Sequence, residues 1–463
     1  ADVLNLVRGM TLPVLLKAVA GGGGRGMAVV DTLDGLEGRI ESAMREAEKS
    51  FGNGELIVER YLPQVRHLEV QVAGDGQGHA IHLFERECTL QRRHQKVIEE
   101  APSAGLSPRL RAAILADAVK LAAGVNYRGL GTVEFVVTGD EHYFLEVNPR
   151  LQVEHPVTEE VTGLDLVELQ LHIAATGALP LAQADVRCSG HAFEARLCAE
   201  DADAGFLPAT GQLQVVDFSR SGVRIESGVD SGDDISPHYD SMIAKLIAHG
   251  TDREAARRAL GAGLRASTVI GLVTNLEFLH ELLEWPETRD ATFHTRLIDE
   301  RHAQRGGVLA PAAPPLEHLA AAALHWLAQQ RAESPALGCW TLWDGFTGWR
   351  LSSGPIQAAP QPALVLKMGA AEWPVRFSMR DADGVCALVI GEQAVNAALQ
   401  PLAGGRCLLQ CGGRALELTI RGDAQHIELS SALGSSVFTA QPYLGGAAAD
   451  AAASGQLLSL IHI

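Results

Sequence analysis

The stretch Lys17-Ala18-Val19-Ala20-Gly21-Gly22-Gly23-Gly24-Arg25-Gly26-Met27 decides the fold. A lysine ends a predicted strand that opens at Pro13, glycines follow from Gly21, and a second strand runs on to Val30. Consecutive glycines let backbone N–H groups close on phosphate oxygens with no Cβ in the way. A P-loop is built differently, because its Gly-Lys-Ser/Thr ends the loop and opens a helix. Here the lysine comes first and strands flank the loop on both sides. The pattern predicts a glycine flap over a nucleotide, carried between two antiparallel strands. A merely flexible hairpin would lose conformational entropy at four adjacent glycines for no gain.

Working outward, Leu33 to Phe51 reads as a helix stopped by Gly52, and Glu55 to Leu62 as a strand. His67 to Val72 alternates polar and apolar residues, which predicts a half-buried strand. Asp75-Gly76 turns the chain into a partner strand, Ala80 to Phe84. Ser107-Pro108 caps a helix that runs to about Val125. Further helices are predicted over Leu164 to Thr176 and Arg253 to Arg265, with residues 188–250 rich in strands. The class is α+β with an antiparallel sheet. Residues 304–337 then turn Ala- and Pro-rich around a predicted helix, Leu316 to Arg331. Five of the 6 tryptophans follow residue 325, and short strands with turn signals fill 339–440, which marks a separate small β domain.

The chain has 463 residues and 49.2 kDa, room for about three domains. Its 38 basic and 56 acidic residues leave a formal charge of −18. That charge argues against a nucleic-acid partner while leaving room for one basic pocket. No apolar run approaches the roughly 20 residues of a membrane helix, and no export signal opens the sequence. The 7 cysteines show no disulfide framework, so a reducing, cytoplasmic setting is expected. Cys407 and Cys411 read as strand residues and not as a metal site.

Two more motifs carry chemistry. Thr132 to Val137 and Tyr143 to Val147 form a predicted hairpin whose turn centres on residue 140, which places Glu134 opposite Glu146. Glu146, Asn148, Arg150, Gln152 and Glu154 then recur at every second position, so one extended strand would show all five on one side. Facing carboxylates beside an amide oxygen suit Mg²⁺ or Mn²⁺. The third motif, Arg86-Glu87-Cys88-Thr89-Leu90-Gln91-Arg92-Arg93-His94-Gln95-Lys96, is a cationic patch after a strand. It is either a solvated loop or an anion-binding cluster beside the metal–nucleotide site.

Together these motifs resemble the biotin carboxylase family of the ATP-grasp superfamily. The resemblance is carried by Lys17 to Met27, Gln91 to Pro102 and Glu146 to Glu159 (Glu-Val-Asn-Pro-Arg-Leu-Gln-Val-Glu-His-Pro-Val-Thr-Glu). It is extended by Arg196 in His191 to Arg196 and by Tyr239-Asp240-Ser241-Met242-Ile243-Ala244-Lys245. It covers roughly residues 1–303. It implies that Lys17, Gly22, Gly23, Gly24 and Gly26 meet ATP phosphates, that Glu59 and Leu62 hold adenine with His67 and Gln91 near the ribose and base, and that Met27 and His94 also bind ATP. Glu134, Glu146 and Asn148 match metal ligands. Lys96, Arg150, Gln152 and the Val153 backbone match the bicarbonate cradle. Glu154 matches the base that deprotonates bicarbonate, its charged form favoured by neighbouring Arg150. Arg196 matches the residue that stabilises the biotin enolate. The implied reaction is ATP-dependent carboxylation of biotin by bicarbonate through carboxyphosphate, with biotin held on a carrier domain.

Residues 304–450 bear a fainter resemblance to the segment after biotin carboxylase in acyl-CoA carboxylase α subunits. Cys339-Trp340 to Arg350-Leu351 points to the 3-methylcrotonyl-CoA branch, of leucine catabolism, with propionyl- and geranyl-CoA carboxylases close behind. The implied partner is a carboxyltransferase β subunit in a hetero-oligomer. The expected division is an ATP-grasp lid over 1–61, a catalytic domain over 62–303, a linker and helix over 304–338, a subunit-docking barrel over 339–445, and a tail over 446–463. Leu458 to Ile463 reads as a translated adapter, and the family's N-terminal domain and carrier lysine are not in the sequence. The alternatives are another ATP-grasp ligase, a urea or pyruvate carboxylase, or a non-catalytic docking fragment.

Overall fold

A computed structural model describes residues 2–21, 26–304, 313–333, 364–380 and 385–442. Gly22 to Gly24, the Cys339 to Leu351 motif and the 446–463 tail lie outside the described residues.

The first unit is a small two-layer sandwich. Helix α1 (Asp2–Gly9), strands β1 (Val14–Ala18) and β2 (Met27–Val30), helix α2 (Leu36–Phe51) and strand β3 (Leu56–Arg60) follow in order. The sheet order is β2-β1-β3, all antiparallel. Val14 and Leu16 of β1 join Val7, Val30, Leu36 and Ile40 in one apolar core. By alternation, Lys17 lies on the opposite face of β1 from that core. Gly52 ends α2 with φ of 70° and returns its N–H to the Glu48 carbonyl at 2.9 Å. Gly26 has φ of +70°, and a Cβ there would meet Ala18 and Phe51 at 3.0 Å, so glycine is needed where the flap re-enters the sheet.

The main unit is an eight-stranded antiparallel sheet. It contains β4 (Arg66–Asp75), β5 (Ala80–Arg92), β6 (Gln95–Ala101), β7 (Arg128–Thr138), β8 (Glu141–Asn148) and β9 (His191–Cys198), extended by the strands Met242–Gly250 and Arg224–Ser227. Helix α3 (Pro108–Gly124) starts as predicted, with the Ser107 hydroxyl accepting the Leu110 N–H at 3.2 Å. It packs Leu110, Ile114 and Ala118 on Leu68, Val70 and Val72 of β4. Helices α4 (His155–Thr162) and α5 (Leu166–Thr176) follow β8, and α6 (Arg253–Ala266) and α7 (Leu276–Glu284) share a core with β9.

Three expectations change. Strand β4 is buried on both faces over His67 to Ala73, because its polar face meets an internal charge network and not water. The cationic stretch is no loop: Arg86 to Arg92 belong to β5, Arg93 and His94 make the two-residue turn with φ of 46° and 67°, and β6 resumes at Gln95. The strand predicted through Glu154 stops at Asn148. Pro149 cannot donate to a ladder, so the chain leaves the sheet there.

The third unit is a closed barrel of eight strands from Leu364 to Pro442, in which Leu364–Met368 also pairs with Gly434–Pro442. The helix Leu316–Glu333, expected within a linker, runs through this barrel. Ala320, Ala321, Ala322 and Ala323 are all fully buried. Four consecutive helical residues point about 100° apart, so the helix is enclosed all round. Small side chains let the strands approach it. Fully buried His318 pins it, with Nδ1 2.8 Å from Ser436 Oγ and Nε2 2.7 Å from Ser431 Oγ.

Burial pushes the His318 imidazole down to about 4, against a weaker upward pull from Glu317. The unfolded chain therefore binds a proton that the folded barrel refuses between about pH 6.5 and 4. Barrel stability should be complete above that window and fall by on the order of 3 kcal/mol as pH drops through it. Thermal melts across pH should show this fall in the wild type and a flatter profile in His318→Gln.

Candidate active site

A cleft of about 1100 Å³ separates the first unit from the large sheet. It is lined by Lys17, Met27, Glu59, Leu62, His67, Gln91, His94, Lys96, Glu134, Glu146, Asn148, Arg150, Gln152, Val153, Glu154 and Arg196. Among the described residues, only Gly26 of the sequence-predicted set is not part of its lining. The flap lysine and the paired carboxylates therefore face one space.

Its floor is the polar face of β4, β5 and β7. Arg86 is fully buried and donates from every nitrogen. Nε bonds Glu69 Oε1 at 2.6 Å, Nη1 bonds Gln71 Oε1 at 2.7 Å and Thr158 Oγ1 at 3.0 Å, and Nη2 bonds Gln152 Oε1 at 3.0 Å and Thr132 Oγ1 at 3.2 Å. Burial would raise the Glu69 carboxyl, but Arg86 and then Lys96 hold it down at about 2. His67 Nδ1 lies 3.3 Å from the Gln91 amide nitrogen, so the proton belongs on Nε2, which donates to Glu134 Oε2 at 2.9 Å.

Above this floor the ammonium of Lys96 makes close ion pairs with Glu69 and Glu154 and lies 3.4 Å from Glu134. Burial works against that charge, yet the carboxylates of Glu69, Glu154 and Glu134 raise its pKa well above the ordinary lysine value. Cys88 is itself buried, which pushes its thiol up and leaves it unionised. Glu154 is 2% exposed and accepts a second cation, Arg196 Nη2, at 2.9 Å. It also sits just before the first residue of α4, where the helix dipole favours a negative charge. Arg196 is braced by Glu99 at 2.6 Å and, through its own carbonyl, by the Asn275 amide at 3.0 Å. Asn275 also accepts the Cys198 N–H at 2.8 Å, so the end of β9 is held on both sides. Glu194 lies fully buried on the same strand. Burial and then Glu99 push its carboxyl well above the ordinary carboxylate value.

Glu134 pairs with Glu146 in the β7–β8 register, as expected. The Asn148 amide nitrogen stands between them, 2.8 Å from Glu134 Oε1 and 3.5 Å from Glu146 Oε1. Burial works to raise Glu134, but His67, Lys96 and Gln152 together hold it far below the usual range. A place that already draws a donor between two carboxylates fits a hard divalent cation, with the amide's other end offering oxygen. A second acidic cluster, His67, Glu69 and Glu134, lies within 4.8 Å but is already neutralised by Arg86 and Lys96.

Three family models match the chain in order. They are the carbamoyl-phosphate synthase L chain ATP-binding domain over residues 1–182, the biotin carboxylase C-terminal domain over 194–300, and the methylcrotonyl-CoA carboxylase alpha-subunit BT domain over 315–442. The crystal structure of a biotin carboxylase complex with β,γ-ATP from Campylobacter jejuni is 38% identical with a TM-score of 0.62, over 64% of this chain and 67% of that one. The chain belongs to the biotin carboxylase family. The biotin carboxylase domain of 2-oxoglutarate carboxylase from Hydrogenobacter thermophilus, solved with MgADP, ADP and bicarbonate, is 39% identical with a TM-score of 0.63, over 65% and 67% of the two chains. The mitochondrial methylcrotonoyl-CoA carboxylase subunit alpha of Rattus norvegicus is 47% identical over 293 residues, 63% of this chain. The chain spans 41% of that protein's length.

Within this biotin carboxylase site one expected neighbour is corrected. Arg150 is exposed and donates from Nη2 to Asn148 Oδ1 at 3.4 Å, while the cations on Glu154 are Lys96 and Arg196. The turn after Pro149 swings Arg150 outward and brings Gln152 and Glu154 inward. Sequence reading missed Glu69, Arg86, Glu99 and Asn275. Arg86 opened the quoted basic motif, and Glu69 shared the odd-numbered row of His67 and Gln71. Glu99 lay within the quoted Gln91 to Pro102 motif without a role, and Asn275 carried no local signal.

Arg86→Lys keeps the charge but cannot meet five partners, so urea unfolding should show a loss of about 3–5 kcal/mol. Glu134→Gln combined with Glu146→Gln should weaken Mn²⁺ uptake with nucleotide by about 10–100-fold, read by electron paramagnetic resonance. Unchanged uptake would contradict the ligand assignment.

Proposed function

We propose that this chain carries out the ATP-dependent carboxylation of biotin by bicarbonate, as the biotin carboxylase part of an acyl-CoA carboxylase. The observation that carries the reading is Glu154, buried and held between Lys96 and Arg196 in the cleft that Lys17 and the Glu134–Glu146 pair also face. Two cations that flank a carboxylate can also hold a small anion beside it. Glu154 takes the bicarbonate proton, and a bicarbonate oxygen then bonds the γ-phosphorus as the bond to ADP breaks. Carboxyphosphate gives CO₂ and phosphate. Biotin N1 gives its proton to the phosphate just released and bonds the CO₂ carbon, with Arg196 stabilising the enolate oxygen. A divalent cation held by Glu134, Glu146 and Asn148 would supply charge neutralisation for the phosphates.

The BT-domain match over 315–442 supports two finer proposals. The acyl-CoA is 3-methylcrotonyl-CoA, and the barrel docks a carboxyltransferase β subunit. A reducing, cytoplasmic setting is also proposed, in keeping with the six described cysteines, all free.

ADP release should require bicarbonate and rise with free biotin. Glu154→Gln should lose that turnover by at least about 100-fold while binding ATP as before. Release that ignores bicarbonate would favour another ATP-grasp ligase.

A further inference from the structure

The motif Tyr239 to Lys245 extends the family resemblance without a chemical role for its lysine. The strand Met242–Gly250 pairs with β9 so that Lys245 lies directly beside Arg196, and with Arg224–Ser227 so that Glu226 lies on its other side. Lys245 is 8% exposed. Its ammonium donates to the Val153 carbonyl at 2.7 Å and pairs with Glu226 at 2.6 Å. Burying an ammonium is costly unless its hydrogen bonds are met, so packing alone would favour a methionine here.

What the lysine holds gives it a purpose. Beyond Asn148 the chain has left the sheet, and no ladder fixes residues 149–154. Gln152 is tied through its side chain to Arg86 and Glu134, and its carbonyl accepts His155 Nδ1 at 2.8 Å. Glu154 makes no capping bond to α4, because its carboxylate is turned to Lys96 and Arg196. Among the described residues, Lys245 is the group that grips the carbonyl of the peptide joining Val153 to Glu154. That peptide is planar, so fixing its oxygen fixes the direction in which the Glu154 Cα leaves it.

We infer that Lys245 is a positioning residue for Glu154. It does not touch the reacting atoms. It holds the Val153–Glu154 peptide so that the carboxylate reaches both flanking cations at once. The inference rests on the biotin carboxylase reading given above. A misplacement of about 1 Å at such a base can cost on the order of 100-fold in rate.

The test uses the full chain and the variant Lys245→Met. Bicarbonate kcat/KM should fall by about 100-fold, while the KM for ATP stays within about twofold. Amide hydrogen exchange over residues 150–156 should quicken by at least about tenfold, with β4 and β7 as protected as in the wild type. Lys245→Arg, which keeps a cationic donor at that depth, should recover part of the bicarbonate kcat/KM. Wild-type values for both bicarbonate kcat/KM and exchange in Lys245→Met would overturn the inference. So would equal losses for ATP and bicarbonate with exchange raised across the whole sheet, the sign of a merely structural lysine. If the wild type releases no bicarbonate-dependent ADP, the functional reading fails, and the exchange measurement still decides whether Lys245 holds the turn.

Discussion

The guanidinium of Arg86 sets the terms for the catalytic half of the molecule. A buried charge with five N–H groups must find acceptors for all of them, since each unmet donor in the interior costs about 1–3 kcal/mol or more. Its acceptors come from β4, β7, the turn after β8 and helix α4. Four pieces of chain distant in sequence are therefore fixed to one planar group. Because Gln152 and Thr158 are among them, the segment that contains Glu154 is held at both ends by a residue outside the cleft lining. The network also explains how a chain of net charge −18 can keep several carboxylates close together: Glu69, Glu134 and Glu154 share the ammonium of Lys96, and Arg86 adds a second cation at Glu69.

Much of this was legible in the sequence because it follows from alternation. The facing of Glu134 and Glu146 needed only a turn centre and the two-residue period of a strand, and the register agrees. Gly52, Ser107 and Pro108 marked helix ends through backbone chemistry that acts within a few residues. The errors share one cause. Alternation shows which residues share a face, but not what that face meets. The polar row of β4 was read as solvated, and it lies against Arg86. Extending the same period past Pro149 ignored the ladder bond that proline removes, and so put Arg150 in the place that Lys96 and Arg196 occupy. Glu99 and Asn275 act through partners 97 and 79 residues away in sequence, and no local pattern could have linked them to Arg196.

The site combines two kinds of support. Residues on strands, such as Lys96, Glu134 and Arg196, inherit their positions from ladders and sheet register. Glu154 lies on a turn and depends on side chains instead. A base on such a turn is placed by a few polar contacts, each of which a single substitution can remove, whereas a sheet residue shares its placement with a whole ladder. This contrast fits the proposed roles, with the carboxylate assigned as base less rigidly framed than the groups that bind charge.

The barrel around the helix Leu316–Glu333 has a bearing on biosynthesis. The helix leaves the ribosome before every strand that will surround it, and the ring closes only when the last strand, Gly434–Pro442, meets the first, Leu364–Met368. Pairing across such a span is slow to nucleate, because the loop must close before any of its contacts form. During translation the buried stripe of leucines, alanines and Trp326 has no cover of its own for the time needed to make about a hundred residues, some 5–20 s at ordinary elongation rates. The enclosed helix that gives the finished barrel a solid centre is therefore, until the ring closes, an uncovered apolar segment that chaperones can bind.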